Sequence, residues 1–225
     1  MQCKFTSSLE KIFDDVAEPQ IPELSGGVAA RGEVYSFQIA LAAEPGEAGW
    51  YRVELSGALN ARIRTVDSVP VHLAADRPGD GNWLRTTPGL YPDLLNPLSG
   101  GDSFRILPRQ WRALWVTVRI PGDCAPGTYP LGFRFSRECG GEWVPCGEWS
   151  FPLEVADLAL PPQKLTRYEW FHADCLAAFY RVEAWSEKHW EIVEAFARNA
   201  ARHGVNALYT PLWTPPLDTA AGGER

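Results

Sequence analysis

Alternation of hydrophobic and polar residues is the main pattern in the first 160 residues. In residues 32–41, large hydrophobic side chains fall on one face and smaller or polar ones on the other, which is typical of a half-buried strand. Residues 111–120 alternate in the same way, and further candidates share the pattern: residues 50–55, 61–66, 69–73, 126–135 and 143–155. Seven or eight short strands separated by turn signals predict an antiparallel, Ig-like β-sandwich over residues 1–160.

Residues 76–109 interrupt this pattern with repeated Pro, Gly and Asp turn signals. The segment carries hydrophobic residues of its own that we expect to anchor it: Trp83, Tyr91, Leu94, Leu95 and Leu98. Two interpretations remain open, an Ω-type loop that caps one end of the sandwich or a surface that contacts a neighbouring domain. We favour the second.

The hydrophobic period changes to that of a helix between two short strands near the C-terminus. Residues 165–171 and 205–210 have strand composition, and a helix is expected between Ser186 as its N-cap and Gly204 just after its end. Strands joined through a helix pair in parallel. After a linker at residues 157–163, the pattern predicts that residues 161–225 form the first β-α-β unit of an incomplete (β/α)8 barrel.

Such a unit would expose apolar faces of both strands and the helix. We therefore expect it to be covered by the sandwich or by a second copy of the chain, and self-association is a predicted hazard.

Composition, charge and the absence of certain motifs exclude several functional classes. A net charge of −7 and a pI near 5.2 argue against nucleic acid and against an anionic membrane surface as partners. The N-terminus has no apolar run of signal-peptide length, and the five cysteines are scattered, so we expect reduced thiols in a cytoplasmic protein. No metal-ligand spacing, phosphate loop or nucleophile elbow is present in the sequence, and no cofactor or metal is expected.

Polar residues outside the C-terminal unit have ordinary structural interpretations. Arg31 and Glu33 are expected to form an ion pair at a turn. His72, His189 and His203 are expected on strand or helix surfaces, because none has a partner at metal-ligand spacing.

Several motifs resemble family 123 glycoside hydrolases and the related DUF4091-type family of bacterial glycoside-hydrolase-like proteins. In the first half they are Ala30-Arg31-Gly32-Glu33, Ser36-Phe37-Gln38 and Leu114-Trp115-Val116-Thr117-Val118, the last followed by Pro121, Ala125-Pro126-Gly127 and Tyr129. In the second half they are Trp170-Phe171-His172-Ala173-Asp174-Cys175, His203-Gly204-Val205-Asn206, Thr210-Pro211-Leu212 and Pro215-Pro216-Leu217-Asp218-Thr219. The resemblance covers nearly the whole chain and implies a β-sandwich in front of a catalytic barrel.

The resemblance also implies hydrolysis of glycosides, with N-acetylhexosaminides as the substrate class. In family 123 the acetamido oxygen of the substrate attacks, an Asp orients it, and an adjacent Glu acts as acid and base. The present sequence has no adjacent Asp-Glu pair after the linker, so no catalytic residue is assigned and the chain alone is expected to be inactive.

Five residues are the candidates for contact with the carbohydrate: Trp170, His172, Asp174, Trp213 and Asp218. They lie at the end of the first strand or follow the two strands of the β-α-β unit, and ligands of β/α barrels bind at the carboxyl ends of the strands. An aromatic platform with carboxylates suits sugar ring faces and hydroxyls. The alternative is that Trp170 is barrel core and that His172 and Asp174 only cap the first loop.

The leading hypothesis is thus that this chain is the N-terminal portion of a glycoside hydrolase. One alternative is a non-catalytic β-sandwich module that binds carbohydrate or a partner protein, recognisable by an exposed aromatic row on one sheet face. A weaker alternative is a structural domain that docks on a separately encoded barrel.

Overall fold

The structure, a computed structural model, describes residues 1–17, 19–72 and 83–210. The chain separates into two compact units, Met1–Leu160 and Pro161–Arg225. In chain order, the strands and helices are β1 (Gln2–Ser7), β2 (Gly27–Arg31), β3 (Val34–Ala42), β4 (Gly49–Ser56), β5 (Asn60–Val71), β6 (Gly89–Leu98), β7 (Phe104–Ile106), β8 (Trp111–Arg119), β9 (Gly127–Cys139), β10 (Glu142–Ala159), β11 (Tyr168–Trp170), α1 (Ala173–Tyr180), α2 (Glu187–Arg202) and β12 (Ala207–Tyr209). Over these ranges, no helix is both long and apolar enough to cross a membrane.

The first unit is a sandwich of two five-stranded sheets. The first sheet has the order β1-β3-β8-β5-β6, and the second has the order β2-β10-β9-β4-β7. The mainly antiparallel β-sandwich predicted from the alternating pattern is therefore confirmed. One pair differs, because β2 runs parallel to β10 and the second sheet is mixed.

Aromatic side chains from both sheets interlock between the layers. Phe37 of β3 stacks on Phe151 of β10 with ring centroids 4.0 Å apart, and Phe5 of β1 meets the edge of Phe151 at 5.2 Å. Phe133 of β9 packs against both Phe5 and Phe37. These four rings belong to one continuous hydrophobic core, which supplies most of the driving force for folding of the unit.

The prediction that β3 is half-buried fits Val34, which is exposed, but not Gln38 and Ala40, which are buried because the segment at residues 8–17 covers this part of the second face. Ile12 of this segment packs against Ala40 of β3 in a smaller hydrophobic cluster. The Gln38 amide of β3 donates to the Ser7 carbonyl at 2.9 Å and to the Glu10 carbonyl at 2.8 Å. A buried amide needs such partners, so these bonds hold the covering segment on the sheet.

The region predicted as a long excursion contains strands. The candidates at residues 61–66 and 69–71 belong to one strand, β5, with an irregularity between Asp67 and Ser68, and residue 73 of the second candidate lies outside the described residues. β6 follows and pairs with β5 at the edge of the first sheet, where its two prolines, Pro92 and Pro97, are tolerated. The sequence pattern missed β6 because proline and turn residues interrupt its alternation.

Only part of the expected anchoring of this region is present. Leu98 packs against the main core, and Tyr91 meets the Phe13 ring edge-on at 5.6 Å. Trp83, Leu94 and Leu95 are exposed. The part of the predicted excursion at residues 76–82 lies outside the described residues.

The hairpin between β9 and β10 depends on two glycines. Gly140 and Gly141 have φ of 63° and 91°, as a tight hairpin between β9 and β10 requires.

The ion pair predicted between Arg31 and Glu33 does not form. Arg31 has another partner. It reaches Asp157 at 3.2 Å, while the Glu33 carboxylate accepts from the Ala30 backbone N–H at 2.7 Å.

The second unit contains the predicted β-α-β order. β11 and β12 pair in parallel, and α2 begins after Ser186, whose hydroxyl accepts from the backbone N–H of His189 at 3.3 Å. α1, an eight-residue helix inside the expected loop, was not predicted. Its end at Arg181, with φ of 55°, lacks the glycine that marks most such ends.

Candidate functional site

The carboxyl ends of β11 and β12 meet at one edge of the two-stranded sheet. Trp170 and Tyr209, the last residues of the two strands, are register partners, and the Phe171 N–H donates to the Tyr209 carbonyl at 2.8 Å. Side chains at this edge are therefore brought together by the parallel pairing itself. In β/α folds this is the edge at which ligands bind.

Three aromatic rings cluster at this edge. The Trp170 and Tyr209 rings meet edge to face with centroids 4.4 Å apart. The His172 ring lies parallel to the Trp170 ring with centroids 6.1 Å apart. Trp170 remains 65% exposed, so its indole is available to a ligand in this chain.

His172 and Asp174 lie directly beyond β11, at the start of α1. His172 occupies the N-cap position with an extended backbone, and Asp174 lies in the first turn. A carboxylate there is stabilised by the positive end of the helix dipole. Both side chains are half-buried, and His172 makes no side-chain hydrogen bond that caps α1.

A buried histidine fixes the start of α1. His189 is fully buried, which corrects the prediction that it lies on the helix surface. Its Nδ1 accepts from the Trp185 N–H at 2.9 Å, and its Nε2 donates to the Ala173 carbonyl at 2.7 Å. Because one partner is a donor and the other an acceptor, the imidazole is held as the neutral Nε2–H tautomer. The bond to the carbonyl thereby connects Ala173, which lies between His172 and Asp174, to α2.

The other predicted histidines have the surface positions expected of them. His72 is exposed at the end of β5, and His203 is exposed at the C-cap of α2, where Nδ1 lies 2.8 Å from the Asn199 carbonyl oxygen.

Sequence reasoning missed Tyr209, and two predicted residues cannot be placed. Tyr209 could have been found as the final residue of the second strand, opposite Trp170 in a parallel register. Trp213 and Asp218 lie outside the described residues. Of the predicted set, the structure brings the rings of Trp170 and His172 together and places Asp174 in the first turn of α1, two residues after His172.

Potential metal ligands do not converge in the described part of the chain. Across residues 1–17, 19–72 and 83–210, no group of three or more His, Cys, Asp or Glu side chains could hold a metal ion. The five cysteines are all free thiols.

Comparison with known proteins identifies this same region. Residues 170–224 match the family model described as the catalytic domain of glycoside hydrolase 123. The match begins at Trp170, the residue at the carboxyl end of β11. The resemblance to this family that the sequence motifs indicated is thus confirmed. No curated protein matches the chain.

Among solved structures, the fold is shared by a family 123 glycoside hydrolase from Clostridium perfringens. That enzyme hydrolyses glycolipid glycans. The TM-score is 0.71 with 16% sequence identity, over 92% of the present chain and 37% of that chain. The chain thus spans little more than a third of the length of this enzyme. The CfaE adhesin of enterotoxigenic E. coli has a TM-score of only 0.32, with 8% identity over 64% of the present chain and 48% of that chain. The N-terminal domain of PorA has a TM-score of only 0.27, with 7% identity over 70% of the present chain and 100% of that chain.

Proposed function

We propose that this chain forms part of a glycoside hydrolase that cleaves N-acetylhexosaminides, and that it supplies the β-sandwich and the first β-α-β unit. One observation carries the proposal. The match to the glycoside hydrolase 123 catalytic domain begins at Trp170, whose exposed ring clusters with those of His172 and Tyr209 at the carboxyl ends of two parallel strands. Asp174 follows His172 by two residues, at the start of α1.

The chemistry of these residues suits a sugar. The exposed indole of Trp170 offers a flat apolar surface for the C–H face of a pyranose ring. Asp174 and His172 supply polar atoms for hydroxyl groups at the start of α1. Trp213 and Asp218, which follow β12 in the sequence, are proposed to extend the same surface.

We propose further that the 225-residue chain does not hydrolyse glycosides by itself. Substrate-assisted hydrolysis in the resembled family needs an Asp and an adjacent Glu. No Asp-Glu pair occurs after residue 160 of this sequence. The residues named above would therefore bind and orient the sugar rather than exchange protons with it.

Hydrolysis of aryl glycosides tests both proposals. The panel contains aryl N-acetylgalactosaminide and N-acetylglucosaminide, and the proteins are this chain and a version extended at the C-terminus from the source DNA. We expect hydrolysis only by the extended protein. Hydrolysis by the short chain would overturn its proposed inactivity, and silence of both proteins would contradict the enzyme proposal.

Substitutions in the extended protein test the sugar-contact roles. We expect Trp170→Ala and Asp174→Asn each to raise KM about tenfold, because each removes a contact worth about 1 kcal/mol or more. Trp190→Ala is the control, since Trp190 is an exposed indole of α2 that is not part of the cluster. Unchanged KM in both site variants would contradict the assignment and favour the alternative, in which Trp170 is barrel core and Asp174 only caps the first loop.

A non-catalytic carbohydrate- or protein-binding module remains the second candidate. The outer face of the second sheet offers little support for the aromatic row that it predicts. Arg134 lies between Glu54 and Glu148, at 3.9 and 3.3 Å, and the guanidinium of Arg52 covers the Trp143 ring at 3.9 Å. Trp50, two residues before Arg52 on β4, lies on the same face by strand alternation, so the indoles of this face stand among charged side chains.

A cytoplasmic location is proposed from the thiols. All five cysteines are free, which is typical of reducing compartments. Fractionation of the source cells, with detection of the native protein, tests this; recovery with secreted proteins would contradict it.

A further inference from the structure

The β-sandwich contains an open cavity lined by residues of β4, β5, β7 and β8, in which charged side chains stand among apolar ones. The cavity has a volume of about 430 Å³, within the range of roughly 300–1,000 Å³ that is typical of small-molecule sites. Its lining includes residues of both sheets and of three connecting segments, and six of them matter here: Asp14, Trp50, Asp67, Arg105, Gln110 and Arg112.

Two of the lining residues form a partly buried ion pair. Arg112 of β8 donates to the Asp67 carboxylate of β5, and both side chains are less than one-third exposed. Asn96 of β6 donates to the same carboxylate. This network fixes charged groups of the first sheet at the cavity, where the hydrophobic core ends.

Two buried polar atoms of the lining residues have no hydrogen-bond partner among the described residues. Asp14 accepts from the Ser68 hydroxyl at 3.0 Å through Oδ2. Its Oδ1 and the Nε of Arg112 are buried without a hydrogen-bond partner among the described residues. Buried polar atoms are normally paired, so these two call for a specific explanation.

An exposed indole is also part of the lining. Trp50 of β4 is the register partner of Arg105 of β7, whose guanidinium lies 5.9 Å from the ring centroid. Trp50 nevertheless remains 47% exposed, although large aromatic residues are usually buried. The cavity therefore combines an aromatic surface with fixed donors and acceptors.

The charges of the lining select the class of ligand. Two carboxylates, Asp14 and Asp67, face two guanidinium groups, Arg105 and Arg112, so the formal charge of the lining is balanced. An anion or a cation gains little net attraction from such a lining, and an apolar ligand would desolvate four charged groups without compensation. A neutral polyhydroxylated molecule can donate to the carboxylates, accept from the guanidinium groups and place a C–H face on the indole.

We propose that this cavity is a binding site for a neutral saccharide, carried by the β-sandwich itself. The proposal stands on the cavity and does not depend on the proposed hydrolase function. A protein could lack glycosidase activity and still bind a sugar here.

Titration of the full chain with free sugars tests the site. The probes are D-galactose, D-glucose, N-acetyl-D-galactosamine and lactose, followed by saturation-transfer NMR and calorimetry up to about 20 mM, because a small open site is expected to bind in the millimolar range. We expect at least one sugar to bind and the affinity to fall about tenfold in Trp50→Ala and in Gln110→Ala. Neither residue is buried, and circular dichroism checks that both variants fold.

Trp83→Ala is the matched control, because Trp83 is 48% exposed and does not line the cavity. Its affinity for the sugar should equal that of the parent chain. Absence of binding by all four sugars would overturn the proposal, as would an affinity that Trp50→Ala and Gln110→Ala leave unchanged. Displacement of the sugar by inorganic phosphate would overturn the assignment to a neutral ligand. Loss of binding only in Trp170→Ala would place the sugar in the second unit, which contradicts this proposal and supports the proposed function instead.

Discussion

At the scale of single residues, burial controls the chemistry of Cys3. Burial, and secondarily the negative charge of Glu23, raise the pKa of this thiol in β1 to about 12. The thiolate is the reactive form, and at pH 8 its fraction is then about a thousandfold smaller than in an unfolded chain.

We therefore expect iodoacetamide to label Cys3 at pH 8 about a thousandfold more slowly in the folded protein than in concentrated urea. Peptide mass spectrometry over time measures the rate, and the same peptide in urea is its own control. Similar rates in the two conditions would show that the thiol is not protected by the fold.

Arg85 stabilises the charged form of Asp15. Its guanidinium donates to both carboxylate oxygens, at 2.8 and 2.6 Å, and the pKa of Asp15 is lowered chiefly by this hydrogen bonding. A lowered pKa contributes stability that is present above the pKa of the unfolded chain and is lost as the pH falls through the folded value.

We expect Arg85→Gln to raise the pKa of Asp15 toward its ordinary value, as followed by NMR titration of the side-chain carbonyl carbon. Arg134→Gln is the control, because Arg134 pairs with other carboxylates. A pKa of Asp15 that does not move in Arg85→Gln would exclude this pair as the cause.

At the scale of elements, His189 joins two helices that the sequence alone does not connect. It accepts from Trp185 and donates to Ala173, so one side chain links the start of α1 to the first turn of α2. Removal of the ring would leave two buried backbone groups unpaired and a cavity in their place.

We expect His189→Ala to lower the free energy of unfolding of the second unit by about 2–4 kcal/mol. Urea titration with tryptophan fluorescence measures it, since Trp185 and Trp190 both lie close to His189. His203→Ala, at the exposed C-cap of the same helix, is expected to cost less than about 1 kcal/mol. Equal effects of the two substitutions would contradict the linking role.

At the scale of the whole chain, the first unit has the features of an independent domain. Its main core contains residues of β1, β3, β8, β9 and β10, all before Leu160. A domain with its own continuous core can fold alone. We expect a chain of residues 1–160 to unfold in a single cooperative transition by circular dichroism. A gradual, non-cooperative melt would contradict this independence.

The second unit exposes large hydrophobic side chains along its described elements. They include Tyr168, Trp170, Phe179, Trp185, Trp190 and Tyr209. Exposed apolar patches of this kind drive association. We propose that copies of the chain associate through this unit, and we expect sedimentation velocity to show concentration-dependent association of the full chain but a monomer for residues 1–160. A monomeric full chain at high concentration would contradict the proposal.

The sequence alone determined the elements whose signal is local. Each of these signals depends on neighbours a few residues away in the chain. They are the alternation around Phe37 and along β8, the glycine pair at the β9–β10 hairpin, and Ser186 before α2. The family resemblance and the placement of Trp170, His172 and Asp174 at the end of β11 followed from motifs of the same kind.

Only the tertiary structure decided the features that depend on distant segments. Residues 8–17 cover β3, His189 is buried against Ala173, and Asp67 and Arg112 meet beside Trp50, across sequence separations that no local pattern encodes. β6 forms because β5 offers an edge to pair with, although Pro92 and Pro97 weaken its own strand signal. Local preferences specify elements, whereas burial and pairing between remote segments specify which faces are covered and where a cavity remains.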